Sequence, residues 1–313
     1  MKPVFSVVIP CYNEEEVIME SYRRISAVML SMGEPYELVF INDGSKDATP
    51  ALLNRLADED NSVRVLHFAR NAGHQIAVSA GLDYAAGSAV VIIDADLQDP
   101  PELIPEMARL WRDGAQVVYG QRRSRAGESF LKLKTAELYY KLIQKLTGNA
   151  IPRDTGDFRL VDEKVADAVR GMPEHARFLR GMFAWVGFKQ VPLLYDRDKR
   201  FAGQTHYPFK KMLKLAADGI MSFSDKPLKL PLWMGLVWLF LGGLTLLALL
   251  IMALAGHSGG GWWLASLLMI GFGSTLASIG IAGSYLARVY DEVKQRPLYI
   301  VADTRGFDEA EGG

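Results

Sequence analysis

The sequence predicts an α/β domain built on a mostly parallel sheet, followed by a hairpin of two apolar helices. Three observations predict this architecture. Short apolar runs alternate with stretches of helical periodicity, polar clusters follow the apolar runs, and two long segments near the C-terminus contain no charged side chain. The alternation is typical of βα units in a parallel sheet. Ligands of such sheets bind beyond the carboxyl ends of the strands, where the polar clusters fall.

The elements of the α/β domain follow one another closely in the first 120 residues. Strands are predicted over residues 5–10, 36–42, 63–68, 89–94 and 116–120. Helices are predicted between them, over residues 14–32, 49–58, 76–85 and 104–112. Connections this short are typical of a compact domain.

The two apolar segments, residues 230–255 and 262–286, are each long enough to cross a hydrocarbon core of about 30 Å. Lys226 and Lys229 precede the first segment and Arg288 follows the second, whereas the connection between them has no lysine or arginine. The positive-inside rule therefore places both termini in the cytoplasm, with two spans in the inner membrane. The alternative is a pair of buried helices in a soluble protein.

Composition and charge restrict the classes of function. The chain has 313 residues, is 50% hydrophobic and carries a net charge of -1, so nucleic acid is not an expected partner. A single cysteine, Cys11, cannot form an internal disulfide, which fits a reducing compartment. Apolar residues at helical spacing before the first span, interleaved with lysines, predict an amphipathic helix at the membrane interface over 206–229. A helix of the soluble core is the alternative.

Polar clusters follow the first three predicted strands. In the first cluster, Asn13 is either a binding residue or a helix cap. In the second, Gly44 permits a tight turn, and Asp43 either binds a base or ribose or belongs to an ordinary turn. In the third, His74 is interpreted as a polar surface residue. The three clusters comprise residues 10–15, 42–47 and 70–75.

The fourth strand is followed by Asp94, Asp96 and Gln98. Side chains alternate along an extended strand, so Asp94 and Asp96 would point the same way. Carboxylates so arranged suit a hard cation, Mg²⁺ or Mn²⁺, that also binds substrate phosphates. A plain turn at the end of the strand is the alternative. Further along, Asp157 is predicted in a turn before an apolar segment, with a helix-capping role as its alternative.

Together these motifs resemble glycosyltransferase family 2, and within it the polyisoprenyl-phosphate glycosyltransferases, which include dolichol-phosphate mannose synthase and bacterial undecaprenyl-phosphate glucosyltransferases. The resemblance covers about residues 4–296 and implies a GT-A fold, a Rossmann-like domain. The residues that carry it are 8–14, 42–45, 71–73, 94–101, 155–160 and 200–205. Residues 177–185 superficially resemble the Gln-Xaa-Xaa-Arg-Trp signature of processive synthases but lack its glutamine, so a single transfer is expected.

The resemblance implies roles for the residues named above. Donor-nucleotide binding is assigned to Pro10, Tyr12, Asn13, Glu14, Asp43, Ser45, Asn71, Gly73 and Asp94. Asp94, Asp96 and Gln98 would hold the cation, and Asp157 would be the general base. A phosphate monoester has a second pKa of about 6 and hardly needs deprotonation, so Asp157 is interpreted either as base or as orienter. Arg122, Arg123 and Arg200 would bind the acceptor phosphate, because guanidinium groups suit phosphate.

The expected reaction is the inverting transfer of one hexose, glucose from UDP-glucose, to undecaprenyl phosphate at the cytoplasmic membrane face. Alternatives are a GDP-mannose, UDP-amino-sugar or UDP-4-amino-4-deoxyarabinose donor, or a non-catalytic membrane scaffold. The expected domains are 1–205 (GT-A), 206–229 (interfacial helix), 230–287 (two spans) and 288–313 (cytoplasmic tail). A short strand predicted at 297–301 would join a sheet edge of its own subunit or of a neighbouring subunit. The resemblance implies a homo-oligomer, because relatives of this type include tetramers.

Overall fold

The computed structural model describes residues 2–123, 155–196, 226–255 and 262–307. The strands are β1 (Phe5–Cys11), β2 (Tyr36–Asn42), β3 (Val63–Phe68), β4 (Ala89–Ile92), β5 (Val117–Arg122), β6 (Thr155–Asp162), β7 (Gln190–Tyr195) and β8 (Val301–Arg305). The helices are α1 (Ile18–Met32), α2 (Thr49–Glu59), α3 (His74–Tyr84), α4 (Ile104–Arg112), α5 (Glu163–Arg170), α6 (Leu179–Trp185), α7 (Lys226–Leu254) and α8 (Trp262–Val293). Strands β1 to β8 with α1 to α6 form one compact unit, and α7 with α8 belong to another.

The first unit is organised around a single eight-stranded sheet of order β7-β5-β6-β4-β1-β2-β3-β8. Its centre is parallel, because β1 pairs in parallel with both β2 and β4, and β2 pairs in parallel with β3. Every residue of β1 is buried, as expected for a strand with helices on both faces. The α/β fold class predicted from the sequence is confirmed.

The sheet contains more antiparallel strand pairs than the alternation of predicted strands and helices indicated. Strand β6 runs antiparallel between β4 and β5, and β8 runs antiparallel to β3 at the far edge. The prediction of a turn around Asp157 is therefore wrong, since Asp157 lies within β6. The helix-capping alternative for Asp157 is also wrong, because Asp162 accepts the hydrogen bond from the Lys164 main-chain N–H at the start of α5.

The C-terminal tail returns to the first unit. Strand β8 begins at Val301, the last residue of the segment 297–301 in which the short strand was predicted, and it pairs with β3 of the same chain. Tyr299 stacks on Phe68, with ring centroids 5.0 Å apart, and donates a 2.9 Å hydrogen bond to Asp83 Oδ2. The tail thus covers the edge of β3, which would otherwise present unpaired backbone groups.

The second unit contains α7 and α8, which contact each other. Each contains a stretch long and apolar enough to cross a membrane, Trp233–Met252 in α7 and Ile270–Val293 in α8. Large apolar side chains on both helices are exposed, including Trp233, Phe240 and Phe272. The predicted interfacial helix over 206–229 lies outside the described residues, apart from its last residues, which belong to α7.

Candidate active site

Three loops meet at the carboxyl ends of β1, β2 and β3. The main-chain N–H of Asn13 donates to Ser45 Oγ at 3.0 Å, and Asn13 Oδ1 accepts a 2.8 Å hydrogen bond from the Lys46 N–H. Asn13 itself has a φ of 54°, in the left-handed region where asparagine is among the most tolerated residues. Helix α1 begins only after Val17, so the alternative that Asn13 caps it is wrong. Asn13 instead joins the first loop to the second.

The second and third loops are joined by Asp43. Asp43 is only 3% exposed, and its two carboxylate oxygens accept hydrogen bonds from the main-chain N–H groups of Ala72 (2.6 Å) and Gly73 (3.0 Å). The Asn71 amide donates to the Asp43 carbonyl oxygen at 3.0 Å. Burial raises the pKa of Asp43, and the two main-chain donors oppose that shift. Asp43 therefore braces two loops of the predicted nucleotide site.

Gly44, in the second loop, occupies a position where a side chain does not fit. Its φ of 65° is in the left-handed region, and a Cβ at this position would lie 2.7 Å from both the Arg70 carbonyl carbon and the Asn71 nitrogen. Such backbone contacts cannot be relieved by rotating a side chain. The tight turn predicted at Gly44 is present, and it allows the second and third loops to touch.

The two predicted metal-binding carboxylates lie in a turn. Strand β4 ends at Ile92, and Asp94 to Gln98 follow it as a turn, so the argument from alternation along an extended strand was wrong. Buried Leu97 adopts a φ of 56°, which is rare for such a residue, and the Gln98 N–H donates to Asp96 Oδ1 at 3.1 Å. The acidic turn is thus sharply bent immediately beyond the sheet.

The electrostatics of this turn suit a cation. Burial raises the pKa of Asp94 to about 6; His74 opposes the shift, and the carboxylates of Asp157, Asp99 and Asp96 add to it. Oδ1 of Asp94 is buried and has no hydrogen-bond partner among the described residues, with His74 Nε2 3.7 Å away. The parts of the chain that the structure describes contain no group of three or more His, Cys, Asp or Glu arranged around a metal. Two carboxylates and an amide would leave coordination positions for phosphates and water, which is how Mg²⁺ is usually bound.

Asp157 is the centre of a second group of charged side chains. Its side chain is 11% exposed. Arg180 binds both of its oxygens, with Nε 2.8 Å from Oδ1 and Nη2 3.3 Å from Oδ2. His74 Nε2 lies 3.2 Å from Oδ2, and Gln75 Nε2 lies 3.5 Å from the same oxygen. The site therefore brings together residues from β6, from the start of α3 and from α6.

These contacts fix the charges of the group. Burial raises the pKa of Asp157, but Arg180 and His74 outweigh burial and hold that pKa well below its usual range. Burial lowers the pKa of His74, but the carboxylates of Asp94 and Asp157 outweigh it and raise the pKa to about 9. Asp157 is therefore an anion held by a guanidinium and an imidazolium at neutral pH.

Arg159 supports the backbone of β6 beside Asp157. It is 4% exposed, and its guanidinium donates to the carbonyl oxygens of Asp157 (3.2 Å) and Gly156 (3.1 Å). The same guanidinium lies 4.5 Å from the centre of the Phe183 ring, a cation–π contact. Burial lowers the pKa of Arg159 to about 10, so it stays charged at neutral pH.

Arg122, at the carboxyl end of β5, lies next to this group. A Cβ on Gly156 would be 3.3 Å from Arg122 Nη2, so the guanidinium lies against the residue that precedes Asp157. Arg122 also bonds the Tyr195 hydroxyl, which donates to the buried carboxylate of Asp99. Burial, and to a lesser extent the Asp99 carboxylate, raises the pKa of the Tyr195 hydroxyl. The hydroxyl therefore stays protonated and can donate a hydrogen bond. The buried Nε of Arg122 has no partner among the described residues.

The other predicted site residues are distributed less tightly. Arg123 is well exposed and lies 3.7 Å from Asp196, away from the contacts around Asp157. Pro10 lies within buried β1, Tyr12 is exposed, and the Glu14 N–H binds Thr49 Oγ1. Arg200 lies outside the described residues.

Sequence reasoning missed three residues of the site. His74 is a surface residue as predicted, with its side chain 40% exposed, but its contact with Asp157 was not anticipated. Arg180 was considered only within a rejected signature, and Gln75 was given no role. Their local sequences resemble ordinary helix starts. Nothing in these local sequences indicates a contact with Asp157, which lies in β6 next to the end of β4, where Ile92 faces Arg159.

The mixed sheet, with an acidic turn after β4, defines the class as a GT-A-like glycosyltransferase fold. A crystal structure of glucosyl-3-phosphoglycerate synthase from Mycobacterium tuberculosis, in complex with Mn²⁺, UDP-glucose and phosphoglyceric acid, is similar, with a TM-score of 0.51 and 20% identity. The similarity covers 71% of this chain and 78% of that chain, and at this identity it shows the fold alone.

The family model described as glycosyl transferase family 2 matches residues 6–170, and the chain belongs to this family. An uncharacterized glycosyltransferase of Bacillus subtilis, YkcC, is 48% identical, with coverage of 97% of this chain and 95% of the relative. The prophage bactoprenol glucosyl transferase homolog of Escherichia coli is 40% identical, with coverage of 95% and 97%. The bactoprenol glucosyl transferase of Shigella phage SfV is 40% identical, with coverage of 96% and 98%. The family resemblance of the motifs is confirmed.

Proposed function

We propose that this protein transfers one glucose from UDP-glucose to a polyisoprenyl phosphate, such as undecaprenyl phosphate, at the cytoplasmic face of the membrane, with inversion at the anomeric carbon. The observation that carries this proposal is the juxtaposition of an acidic turn, an anionic Asp157 and a cationic Arg122 at one end of the sheet. Relatives named bactoprenol glucosyl transferases, similar over nearly the whole chain, support the lipid acceptor and the sugar.

The three joined loops would bind the donor nucleotide. Their bracing by Asp43 and Asn13 presents a rigid rim at the carboxyl ends of β1 to β3, the usual ligand position in such sheets. Asp94, Asp96 and Gln98 fit a divalent cation, because Asp94 has a buried oxygen without a hydrogen-bond partner among the described residues. Burial raises the pKa of Asp94 to about 6, and the neighbouring carboxylates add to that shift, so a bound cation would stabilise its charged form. A Mg²⁺ or Mn²⁺ ion bound there would neutralise charge on the leaving diphosphate.

Asp157 would act as an orienting anion. A general base must accept a proton, but the pKa of Asp157 is held well below its usual range. A phosphate acceptor is already largely anionic at neutral pH, because its second pKa is about 6. Asp157 therefore orients Arg180 and His74 around the reacting groups, and of the two roles considered for it we propose that of orienter.

The same contacts favour a single displacement. A carboxylate that acts as a covalent nucleophile needs a free oxygen directed at the anomeric carbon. Both oxygens of Asp157 are bound by Arg180, and Oδ2 also contacts His74. We therefore assign the attack to the lipid phosphate itself, on the side opposite the leaving diphosphate, so that the configuration is inverted.

Arg122 would hold the acceptor phosphate near that position. Its guanidinium is fixed by Tyr195 and lies against Gly156, and its buried Nε has no partner among the described residues. Guanidinium groups bind phosphate through paired hydrogen bonds. Arg200, outside the described residues, stays a further candidate for this role.

Helices α7 and α8 would span the membrane and keep the enzyme beside a lipid substrate. Their exposed apolar side chains favour this over the alternative of core helices in a soluble protein. Lysines and arginines flank the outer ends of the pair and are absent from the connection at 256–261, which supports cytoplasmic termini. Holding both substrates at one surface would promote the reaction by proximity.

The test uses the full-length protein in detergent with radiolabelled UDP-glucose, undecaprenyl phosphate and Mg²⁺ or Mn²⁺. Label should enter the lipid phase, and EDTA or Asp157→Asn should abolish its transfer. Asp113→Asn, at an exposed aspartate of a surface ion pair, is the matched control and should retain full activity. A panel of other donors comprises GDP-mannose, UDP-amino sugars and UDP-4-amino-4-deoxyarabinose. Transfer from one of these donors, with no labelled lipid from UDP-glucose, would refute the choice of glucose. No transfer from any donor would refute the enzymatic proposal.

A further inference from the structure

The first turn of α6 is bound by a side chain from a different helix. The main-chain N–H of Leu179, the first residue of α6, donates a 3.0 Å hydrogen bond to Oε1 of Gln75 in α3. N–H groups in the first turn of a helix have no partner within the helix, and the side chain of Phe178 does not cap α6. Gln75 therefore supplies a partner that the helix itself cannot provide.

The other end of the same amide faces Asp157. Because Leu179 N–H is a donor, the atom of Gln75 that it contacts must be the carbonyl oxygen, which fixes the orientation of the amide. Nε2 of Gln75 then points to Asp157 Oδ2 at 3.5 Å, the long limit of a hydrogen bond. One side chain thus contacts both the start of α6 and the carboxylate.

The residue after Leu179 is Arg180, which binds both oxygens of Asp157. A shift of Leu179 would move Arg180 relative to Asp157, and bidentate geometry tolerates little displacement. We propose that Gln75 is a positioning residue, which fixes the first turn of α6 so that Arg180 holds Asp157 in the orientation needed for transfer. This inference rests on the proposed function, because its consequence is a rate of sugar transfer.

The Gln75→Glu variant distinguishes a positioning role for Gln75 from a purely structural one. In Gln75→Glu the carboxylate can still accept from Leu179 N–H, but it places a second negative oxygen towards Asp157. A residue that only caps α6 would tolerate glutamate, whereas a residue that positions Asp157 would not. In Gln75→Ala both contacts are lost.

Gln116 offers a matched control. Its Oε1 also accepts a hydrogen bond from a single main-chain N–H, that of Lys189 at 3.3 Å, just before the start of β5. This is the opposite end of β5 from Arg122. Gln116→Glu and Gln116→Ala therefore make the same chemical changes away from Asp157.

The experiment measures kcat, KM for UDP-glucose and hydrogen–deuterium exchange of the segment 179–185 in the full-length protein. We expect Gln75→Ala to lower kcat by about 10-fold to 100-fold, the range expected for small displacements of reacting groups, with KM for the donor little changed. Gln75→Glu should lower kcat at least as much while its exchange stays at the wild-type rate. Gln75→Ala should exchange faster in α6, and both Gln116 variants should match the wild type in kcat and in exchange.

Wild-type kcat in Gln75→Glu, or in Gln75→Ala, would overturn the positioning role and leave the proposed function intact. A wild-type protein that transfers no sugar would overturn the proposed function itself, and the positioning role with it. Faster exchange in Gln75→Ala at an unchanged kcat would reduce Gln75 to a cap of α6.

Discussion

Arg180 binds Asp157 through two guanidinium nitrogens, Nε at 2.8 Å from Oδ1 and Nη2 at 3.3 Å from Oδ2. A bidentate pair fixes the carboxylate in one orientation and keeps it ionised. Helix α5 lies between these two residues in the sequence. Their pairing therefore depends on how β6 packs against the helices that follow it.

Arg180→Lys should impair transfer although it conserves the charge. An ammonium group is a point donor and cannot bind both carboxylate oxygens in the fixed geometry of a guanidinium. We expect kcat to fall by about 10-fold or more, because reacting groups would lose their alignment. The measurement is steady-state label transfer to undecaprenyl phosphate.

The control for that variant is Arg109→Lys, at an exposed arginine that pairs with Glu106 and Asp113 on the surface of α4. Exposed pairs of this kind contribute about 0–1 kcal/mol, so kcat and the melting temperature should both stay close to wild type. An Arg180→Lys protein as active as this control would show that the bidentate geometry is dispensable.

Asp96→Asn should weaken metal binding selectively. Replacing a carboxylate by an amide removes one negative charge from a site proposed to bind a hard cation. We expect the Mn²⁺ concentration that gives half-maximal activity to rise by about tenfold, corresponding to roughly 1.4 kcal/mol in metal binding. The measurement is a Mn²⁺ titration of the EDTA-treated enzyme, and an unchanged titration midpoint would argue against Asp96 as a ligand.

Gly156→Ala should disturb Arg122 without unfolding the protein. The new Cβ would lie 3.3 Å from Arg122 Nη2, so the guanidinium would have to shift by a few tenths of an ångström. If Arg122 binds the acceptor phosphate, KM for the lipid should rise about 10-fold while KM for UDP-glucose changes little, since one charge-assisted contact contributes about 1.5–3 kcal/mol.

Gly171→Ala, at the end of α5, is the control for Gly156→Ala. Its Cβ would make only ordinary contacts, the nearest being 3.5 Å from the Asp167 carbonyl oxygen. Both variants should melt close to wild type. Equal lipid KM values in the two variants would remove Arg122 from the proposed acceptor site.

Tyr299→Phe should destabilise the first unit. The substitution preserves the stacked ring on Phe68 but leaves Asp83 without the hydroxyl donor. The hydrogen bond is exposed to solvent, so its loss should cost about 0.5–1.5 kcal/mol, and the melting temperature should fall by only a few degrees.

Tyr290→Phe, at an exposed tyrosine of α8, is the control for the change of a tyrosine hydroxyl. A truncation before residue 297 should destabilise the protein further, because it removes β8 from the edge of β3. Light scattering of the truncated protein in detergent would test the predicted homo-oligomer. An oligomer of unchanged mass would show that assembly does not depend on exchange of this strand.

Local sequence signals were sufficient for the centre of the fold. The first three predicted strands match β1 to β3 within one residue, because each is a short apolar run bounded by turn residues. The loops that follow them were assigned as a site from their polar residues and glycines, and Gly44 makes the expected turn. Such features depend on neighbours in sequence, which the sequence displays directly.

The remainder depends on contacts between distant residues. Thr155 to Asp162 was not recognised as a strand, and nothing in that segment specifies that it pairs antiparallel with both β4 and β5. His74 lies 83 residues before Asp157. Its role could not be inferred from the helix start in which it occurs. Asp94 and Asp96 were predicted on an extended strand, whereas they follow the end of β4 in a turn. Leu97 in this turn has a φ of 56°, for which there is no local sequence signal.

A direct attack of the lipid phosphate on the donor sugar determines the anomeric configuration of the product, which can be measured. The glycolipid made from UDP-α-glucose is purified, and the coupling between its H1 and H2 protons is measured by NMR. We expect a β-linked glucosyl phosphate, because Arg180 binds both oxygens of Asp157, which are then not free to attack the anomeric carbon in a double displacement. An α-linked product would contradict it.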